Sequence, residues 1–78
     1  MKLPLSKIAN GEQVIVHEIE ASELKVKLME MGLVHGKVLT VLFRAPMNGP
    51  IAVDIDGYVL SLRVDEAELV LVENDLAA

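Results

Sequence analysis

Residues 29–41, MEMGLVHGKVLTV, contain the change from helix to strand that decides the fold. Before and within this stretch, Leu24, Leu28 and Met31 recur at i, i+4 and i+7, the spacing of one helical face. Gly32 then suits the left-handed position that ends a helix, because a residue without a Cβ atom adopts it without steric cost. Beyond the second glycine of the stretch, apolar residues alternate as they do in a strand. The stretch therefore predicts a corner that joins a short helix to a β-strand.

The rest of the sequence is dominated by strand patterns. Asp56-Gly57 is a strong signal for a tight hairpin, and residues 65–67 predict one turn of 3₁₀-helix. Ser22 is expected to cap the start of the helix. Short strands that pair in sequence, with one helix inserted after the first, predict a mainly β fold that forms a small, partly open barrel. The five predicted strands cover residues 13–19, 37–44, 51–56, 58–63 and 69–73.

Alternation along these strands also predicts which side chains face the core. Phe43, Tyr58, Leu60 and Leu62 are expected to point inward, and the N-terminal segment is expected to pack Leu3, Leu5 and Ile8 against the core. A frayed tail is expected at residues 74–78. The outward positions form an unusually apolar face of Val38, Thr40, Leu42, Ala52, Val59, Ser61 and Leu71.

Length and apolar content limit the classes of protein to which this chain can belong. A chain of 78 residues suits one domain, with its core expected at about residues 3–73. No apolar run approaches the roughly 20 residues that cross a bilayer, and the first residues lack the apolar stretch of a signal peptide. We therefore expect a cytoplasmic domain without direct membrane insertion. The apolar share of 53% is high for so small a domain, which predicts exposed aliphatic surface of the kind that partners cover.

The charge of the chain is acidic and unevenly distributed. Seven Lys and Arg stand against twelve Asp and Glu, a formal net charge of −5. Residues 1–44 hold six basic and five acidic side chains, whereas residues 45–78 hold one basic and seven acidic. Nucleic-acid binding needs a basic surface that displaces counterions from phosphates. We therefore expect no nucleic acid among the partners.

No combination of residues predicts an active site, a metal site or a cofactor. The chain has no cysteine, which excludes thiolate chemistry and cysteine-based metal centres. His17 and His35 stand on separate predicted elements without the spacing of a metal motif. Asp54 and Asp56 share one strand face beside a turn, where carboxylates are usually solvated. The chain is therefore expected to be no enzyme.

Two lysines on the predicted helix, Lys25 and Lys27, leave two interpretations open. They form a solvated helix face, as exposed charges commonly do, or they steer an acidic partner toward the helix. Met29 also allows two interpretations. It is either a buried residue or part of an adaptable interface that uses its flexible thioether.

Four segments, taken in order, resemble the FeoA family of ferrous iron transport proteins. They are LMEMGLVHG at 28–36, VLTV at 38–41, APMNGPIAV at 45–53 and GYVLSLRVDEAELVLVE at 57–73. The resemblance implies an SH3-like barrel with a helical insertion. It also implies a small accessory protein of bacterial ferrous iron uptake, whose partner is FeoB, a membrane transporter with a cytoplasmic G-protein domain. The chain departs from the family at His35, where proline is frequent and would fix the backbone φ angle.

The helix and the corner after it are the predicted docking surface for FeoB. Lysines would guide the encounter, and apolar residues would supply contact area. Two other functions stay open. One is a metal-responsive domain that binds Fe²⁺ weakly through His17 or His35 with nearby carboxylates. The other is self-association through a face of Val38, Leu42, Val59 and Leu71. The predicted docking residues are Lys25, Lys27, Met29, Leu33, Val34 and Met47.

Overall fold

The computed structural model describes residues 1–74 and is built on one antiparallel sheet of six strands. Along the sheet the strands follow the order β1-β6-β2-β3-β4-β5. The predicted frayed tail lies, except for Asn74, outside the described residues. The strands are β1 (Leu3–Pro4), β2 (Gln13–Ile19), β3 (Val38–Arg44), β4 (Ile51–Ile55), β5 (Tyr58–Leu62) and β6 (Val70–Asn74). The helices are α1 (Lys25–Glu30), α2 (Val64–Leu69) and a 3₁₀-helix (Leu5–Lys7).

The mainly β architecture with a helix inserted after the first long strand is confirmed. All five predicted strands form; β2 has the predicted bounds, and the other four have ends that differ by one residue. The additional strand is β1, where Leu3 pairs with Val72 and Pro4 with Leu71. A strand of two residues is too short to show an alternating pattern, so the sequence could not indicate it.

The second helix replaces the 3₁₀ turn predicted at residues 65–67, and that prediction is wrong. The N–H of Ala67 donates to the carbonyl of Arg63 at 2.9 Å, which is an α-helical hydrogen bond. The Glu66 carboxylate turns back and accepts the N–H of Arg63 at 2.8 Å. This contact satisfies a donor at the start of the helix that would otherwise lack a partner.

The first helix begins at Lys25, three residues after the predicted cap. The Ser22 hydroxyl accepts the N–H of Leu24 at 2.9 Å, so Ser22 forms a turn that leads into α1. The predicted inner face is confirmed, because Leu28 is buried and Leu24 and Met31 pack against the core. The helix ends at Glu30, Met31 is its C-cap, and Gly32 follows in the predicted left-handed conformation with a φ of +103°.

Two hydrogen bonds hold α1 along the sheet. The Lys27 ammonium donates to the Glu66 carboxylate of α2 at 2.9 Å. At the C-terminal end of the helix, the Tyr58 hydroxyl of β5 donates to the carbonyl of Met31 at 2.8 Å. Tyr58 is the first residue of β5 and Glu66 lies in α2, so these contacts connect the middle of α1 to α2 and its C-terminal end to β5.

A β-bulge in β3 overturns one prediction of side-chain direction. Val41 pairs with Val53, but Phe43 pairs with Ala52, so the register shifts between Val41 and Phe43. A shift by one residue reverses which side chains face the core. Phe43 is therefore exposed, opposite to the predicted pattern. Ala52, predicted to point away from the core, is buried but lies outside the core cluster, to which its neighbours Ile51 and Val53 belong.

Two further inward predictions fail at strand ends. Tyr58 is exposed because its ring runs along the surface to reach the end of α1. Leu3 is exposed because β1 lies at the edge of the sheet. The predictions for Leu5, Ile8 and Leu62 are confirmed, since all three are buried. The core of the described chain comprises Leu5, Ile8, Val14, Val16, Ile19, Leu28, Leu33, Leu39, Val41, Ile51, Val53, Ile55, Leu62, Ala67, Val70 and Val72.

Candidate docking groove

A shallow groove of about 160 Å³ opens where α1, the end of β2 and the residues after α1 meet. We call it the corner groove. Strand β2 contributes its last residues, and α1 contributes two side chains one turn apart. The corner after the helix closes the third side. The lining residues are His17, Glu18, Ile19, Lys25, Met29, Leu33, Val34 and His35.

The floor of the corner groove is apolar. Leu33 has no exposed surface, and its N–H donates to the carbonyl of Leu28 at 3.2 Å, which turns the side chain back under the helix. Met29 and Val34 form the walls and are 43% and 36% exposed. Leu33, predicted as a docking contact, lies in the core beneath the groove because of the chain reversal after Gly32, so Met29 and Val34 supply the exposed apolar surface. Its neighbour Val34 is exposed as predicted.

Two histidines stand together at one side of the groove. Strand β2 and the corner are joined by two backbone bonds of 2.8 Å, from Gly36 N–H to Val16 carbonyl and from Val16 N–H to Lys37 carbonyl. This pairing places the His35 Nδ1 atom 2.7 Å from the His17 carbonyl, which requires a proton on Nδ1. The two rings meet edge to face with their centroids 5.5 Å apart.

Acidic side chains accompany His17. Its Nδ1 lies 3.1 Å from the Glu73 carboxylate, and its Nε2 lies 3.4 Å from that of Glu18. Lys2 also approaches Glu18, at 3.7 Å. Across residues 1–74, however, no three His, Asp or Glu side chains are arranged to hold a metal ion.

The two lysines of α1 have different surroundings. Lys25 lines the corner groove and makes no ion pair or hydrogen bond through its ammonium to any residue from 1 to 74. Lys27 points the other way, to the Glu66 carboxylate. Burial would raise the pKa of Glu66, but the N–H of Arg63 and the Lys27 ammonium outweigh it, and the pKa is lowered. Lys25 is thus the lysine available to a partner at the groove, whereas Lys27 connects α1 to α2.

Met47 lies outside the corner groove. It is 98% exposed in the loop between β3 and β4, with a φ of +61° that bulky side chains rarely adopt. It lines a separate cleft whose other side chains include Arg44 and Glu68. The structure therefore does not place Met47 among the other predicted docking residues.

Sequence reasoning missed four residues that line the groove, which are His17, Glu18, Ile19 and His35. Ile19 supplies apolar lining from the end of β2, and His17 and His35 form one side of the opening. Alternation along β2 marked Ile19 as a strand residue but could not show that the helix would pass beside it. No spacing signal joined the histidines, because their proximity depends on the pairing of β2 with the corner.

An antiparallel sheet of short strands, with a helix inserted after the first long strand and a groove beside that helix, defines a small SH3-like domain. A family model described as the FeoA domain matches residues 3–74. The chain belongs to the FeoA family.

A curated relative and two solved structures illustrate the family. A protein of Porphyromonas gingivalis, named as a fusion of Fe(2+) transport protein A and the Fe(2+) transporter FeoB, is 36% identical over 70 residues. The match covers 88% of this chain but only 8% of that relative. The NMR structure of a FeoA-like protein from Clostridium acetobutylicum is 37% identical and superposes with a TM-score of 0.88. The superposition covers 95% of this chain and 87% of the Clostridium acetobutylicum protein.

The SH3-like character of the fold is also seen in a more distant structure. FeoA from Stenotrophomonas maltophilia, solved in complex with zinc and described as an SH3 domain protein, has a TM-score of 0.77. The superposition covers 94% of this chain and 89% of the Stenotrophomonas maltophilia protein. The two sequences are 24% identical, so the likeness establishes the fold alone. Within residues 1–74, neither helix has the length and apolar character needed to cross a membrane.

Proposed function

We propose that this chain is a cytoplasmic accessory protein of ferrous iron transport that docks on a FeoB-type transporter. The observation that carries the proposal is the Porphyromonas gingivalis relative, in which a FeoA-like sequence and FeoB share one polypeptide. Parts that are fused in one protein work within reach of each other. When such parts are separate chains, as proposed here, a docking surface must replace the covalent connection.

The corner groove supports the proposal as the place of docking. Met29 and Val34 offer exposed apolar surface beside a preformed depression, which is the arrangement of an interface core. Lys25 makes no ion pair with residues 1–74 and stands at the edge, where it would steer an acidic surface into contact. Docking on the G-protein domain of the transporter would allow this chain to regulate GTP hydrolysis or to assemble the complex.

Binding to the transporter tests this proposal directly. We suggest measuring the Kd of the full chain for the intact transporter in lipid nanodiscs and for its isolated G-protein domain, with GTP turnover followed in the same samples. We expect Val34→Asp to weaken binding at least about tenfold, which corresponds to about 1.4 kcal/mol. A buried carboxylate without a partner costs at least that much.

A matched control separates docking from folding. Val59 is also an exposed valine, but it lies on β5 and does not line the corner groove. Val59→Asp should therefore bind with the wild-type Kd, and both variants should keep the wild-type circular dichroism spectrum. Equal weakening by the two variants would contradict docking through the groove. Absence of binding by the wild-type chain to either form of the transporter would contradict the proposed function.

A further inference from the structure

We propose that the corner groove receives one large apolar side chain from a partner segment that carries a carboxylate next to it. The proposal rests on the proposed function, since it describes the part of the partner that the groove recognises. Three observations lead to it: the size of the groove, the distribution of its apolar surface and the balance of charges at its edge.

The size of the groove fits one side chain. Sites for small-molecule ligands usually occupy about 300–1,000 Å³, whereas the corner groove holds about 160 Å³. The buried Leu33 side chain forms the floor, with Met29 and Val34 at the sides. A leucine, isoleucine, methionine or phenylalanine would bury its surface against these groups. The Met29 thioether is flexible, so it would adapt to the shape of the side chain that enters.

The charges at the edge favour an acidic neighbour of that side chain. Glu18 is already matched by the Lys2 ammonium at 3.7 Å. Lys25 has no counterpart within residues 1–74. Within the described part of the chain, the Lys25 ammonium at the edge of the groove is therefore without a counter-ion, and a basic segment would be repelled by it.

A second copy of this chain is the less favoured occupant. Each copy has a net charge of −5, so two copies repel each other. A partner segment that is acidic only beside its apolar anchor meets Lys25 without that general repulsion.

Short peptides test the preference without the transporter. The probes are acetyl-Gly-Asp-Leu-Asp-Gly-amide, the same peptide with both aspartates replaced by lysine, and the acidic peptide with alanine in place of leucine. Each is titrated into the isotopically labelled full chain, and NMR signals are followed. We expect the acidic leucine peptide to shift the signals of Met29, Leu33 and Val34. The alanine peptide should bind about tenfold more weakly, because most of the apolar contact is lost.

The charge preference is tested by reversing Lys25. In the wild type at low salt, the lysine peptide should bind about two- to fivefold more weakly than the acidic one, the effect of a single exposed ion pair. Lys25→Glu should reverse this order, and Lys25→Met should abolish it. Equal affinity of both peptides for the wild type, or shifts confined to residues outside the groove, would overturn the proposal. A concentration-dependent dimer that sedimentation detects and Val34→Asp abolishes would overturn it in favour of a second copy.

The outcomes also separate this inference from the proposed function. Transporter binding that Val34→Asp weakens but Lys25→Glu leaves unchanged would overturn the acidic preference, while the proposed function stands. Acidic-peptide binding that Lys25→Glu abolishes, in a chain that does not bind the transporter, would support the preference and overturn the transporter as the partner.

Discussion

Replacing Glu66 by Gln should separate a structural role of Lys27 from a role in docking. Glu66 is only 4% exposed, and its carboxylate accepts hydrogen bonds from the Arg63 N–H at 2.8 Å and the Lys27 ammonium at 2.9 Å. The first bond lies at the start of α2, and the second joins α2 to α1. Glu66→Gln keeps an oxygen for the Arg63 N–H and removes the charge that attracts Lys27.

The expected loss of stability follows from these contacts. A hydrogen bond to a charged group contributes about 1.5–3 kcal/mol when it is buried. The Lys27 side chain is 59% exposed, so screening by solvent reduces its share to about 1 kcal/mol. Glu66→Gln should therefore lower the free energy of unfolding by about 1 kcal/mol. In a domain of this size, that corresponds to a Tm lower by about 4–8 °C.

The dependence on pH gives the prediction a second, independent readout. The pKa of Glu66 is lowered in the folded chain, which means that folding favours the ionised carboxylate. Its contribution is fully present above the pKa of an unfolded glutamate and is lost as the pH falls through the lower, folded pKa. The difference in stability between wild type and Glu66→Gln should therefore shrink toward zero in acid. Urea unfolding at several pH values between about 7 and 3 measures this difference.

The control is Glu20→Gln, which removes an exposed carboxylate that makes no ion pair or side-chain hydrogen bond to any residue from 1 to 74. It should change stability by less than about 0.5 kcal/mol at every pH. A difference between wild type and Glu66→Gln that persists unchanged in acid would refute the reasoning, because the carboxylate charge would then have no part in it. Wild-type transporter binding by a folded Glu66→Gln variant would agree with a structural role for Lys27.

Three further substitutions test how the corner is built, all by thermal unfolding. Tyr58→Phe should cost about 0.5–1.5 kcal/mol, because the carbonyl of Met31 loses the donor 2.8 Å away. Gly32→Ala should cost more than about 1 kcal/mol, since φ is +103° and the new Cβ atom would lie 2.9 Å from the Tyr58 hydroxyl. Its cost should be smaller in the Tyr58→Phe background, and an equal cost in both would rule out the clash. Leu33→Ala should cost about 2–5 kcal/mol through the cavity it leaves, and near-wild-type stability would contradict its burial.

Local sequence signals predicted the elements on either side of the corner. The spacing of Leu24, Leu28 and Met31 placed the inner face of α1, and Gly32 marked its end. Both signals act within one or two turns of chain, so they need no knowledge of distant residues. The predictions that failed depend on contacts between residues that are far apart in the sequence. Phe43 faces solvent because of a bulge between paired strands, which the alternation within one strand does not show.

Local sequence signals also failed to predict the second helix. Asp65-Glu66-Ala67 predicts only a turn, but Glu66 is buried and held by Lys27, which is 39 residues earlier in the chain. A contact over that separation stabilises a short helix that would be marginal alone. The same long-range contact holds the Lys27 ammonium at Glu66, so that only Lys25 lines the corner groove. The sequence around the two lysines does not show this difference.

By itself, the sequence determined a mainly β fold with one helix inserted after the first long strand, because strand alternation and the glycine that ends the helix are local properties. It also determined the lack of cysteine chemistry and the acidic charge. Only the tertiary structure decided which side chains a partner can reach. Leu33 and Val34 are adjacent and both apolar, yet the chain reversal after Gly32 buries the first and exposes the second. His17 and His35 meet although they are 18 residues apart, because backbone pairing between β2 and the corner brings them together.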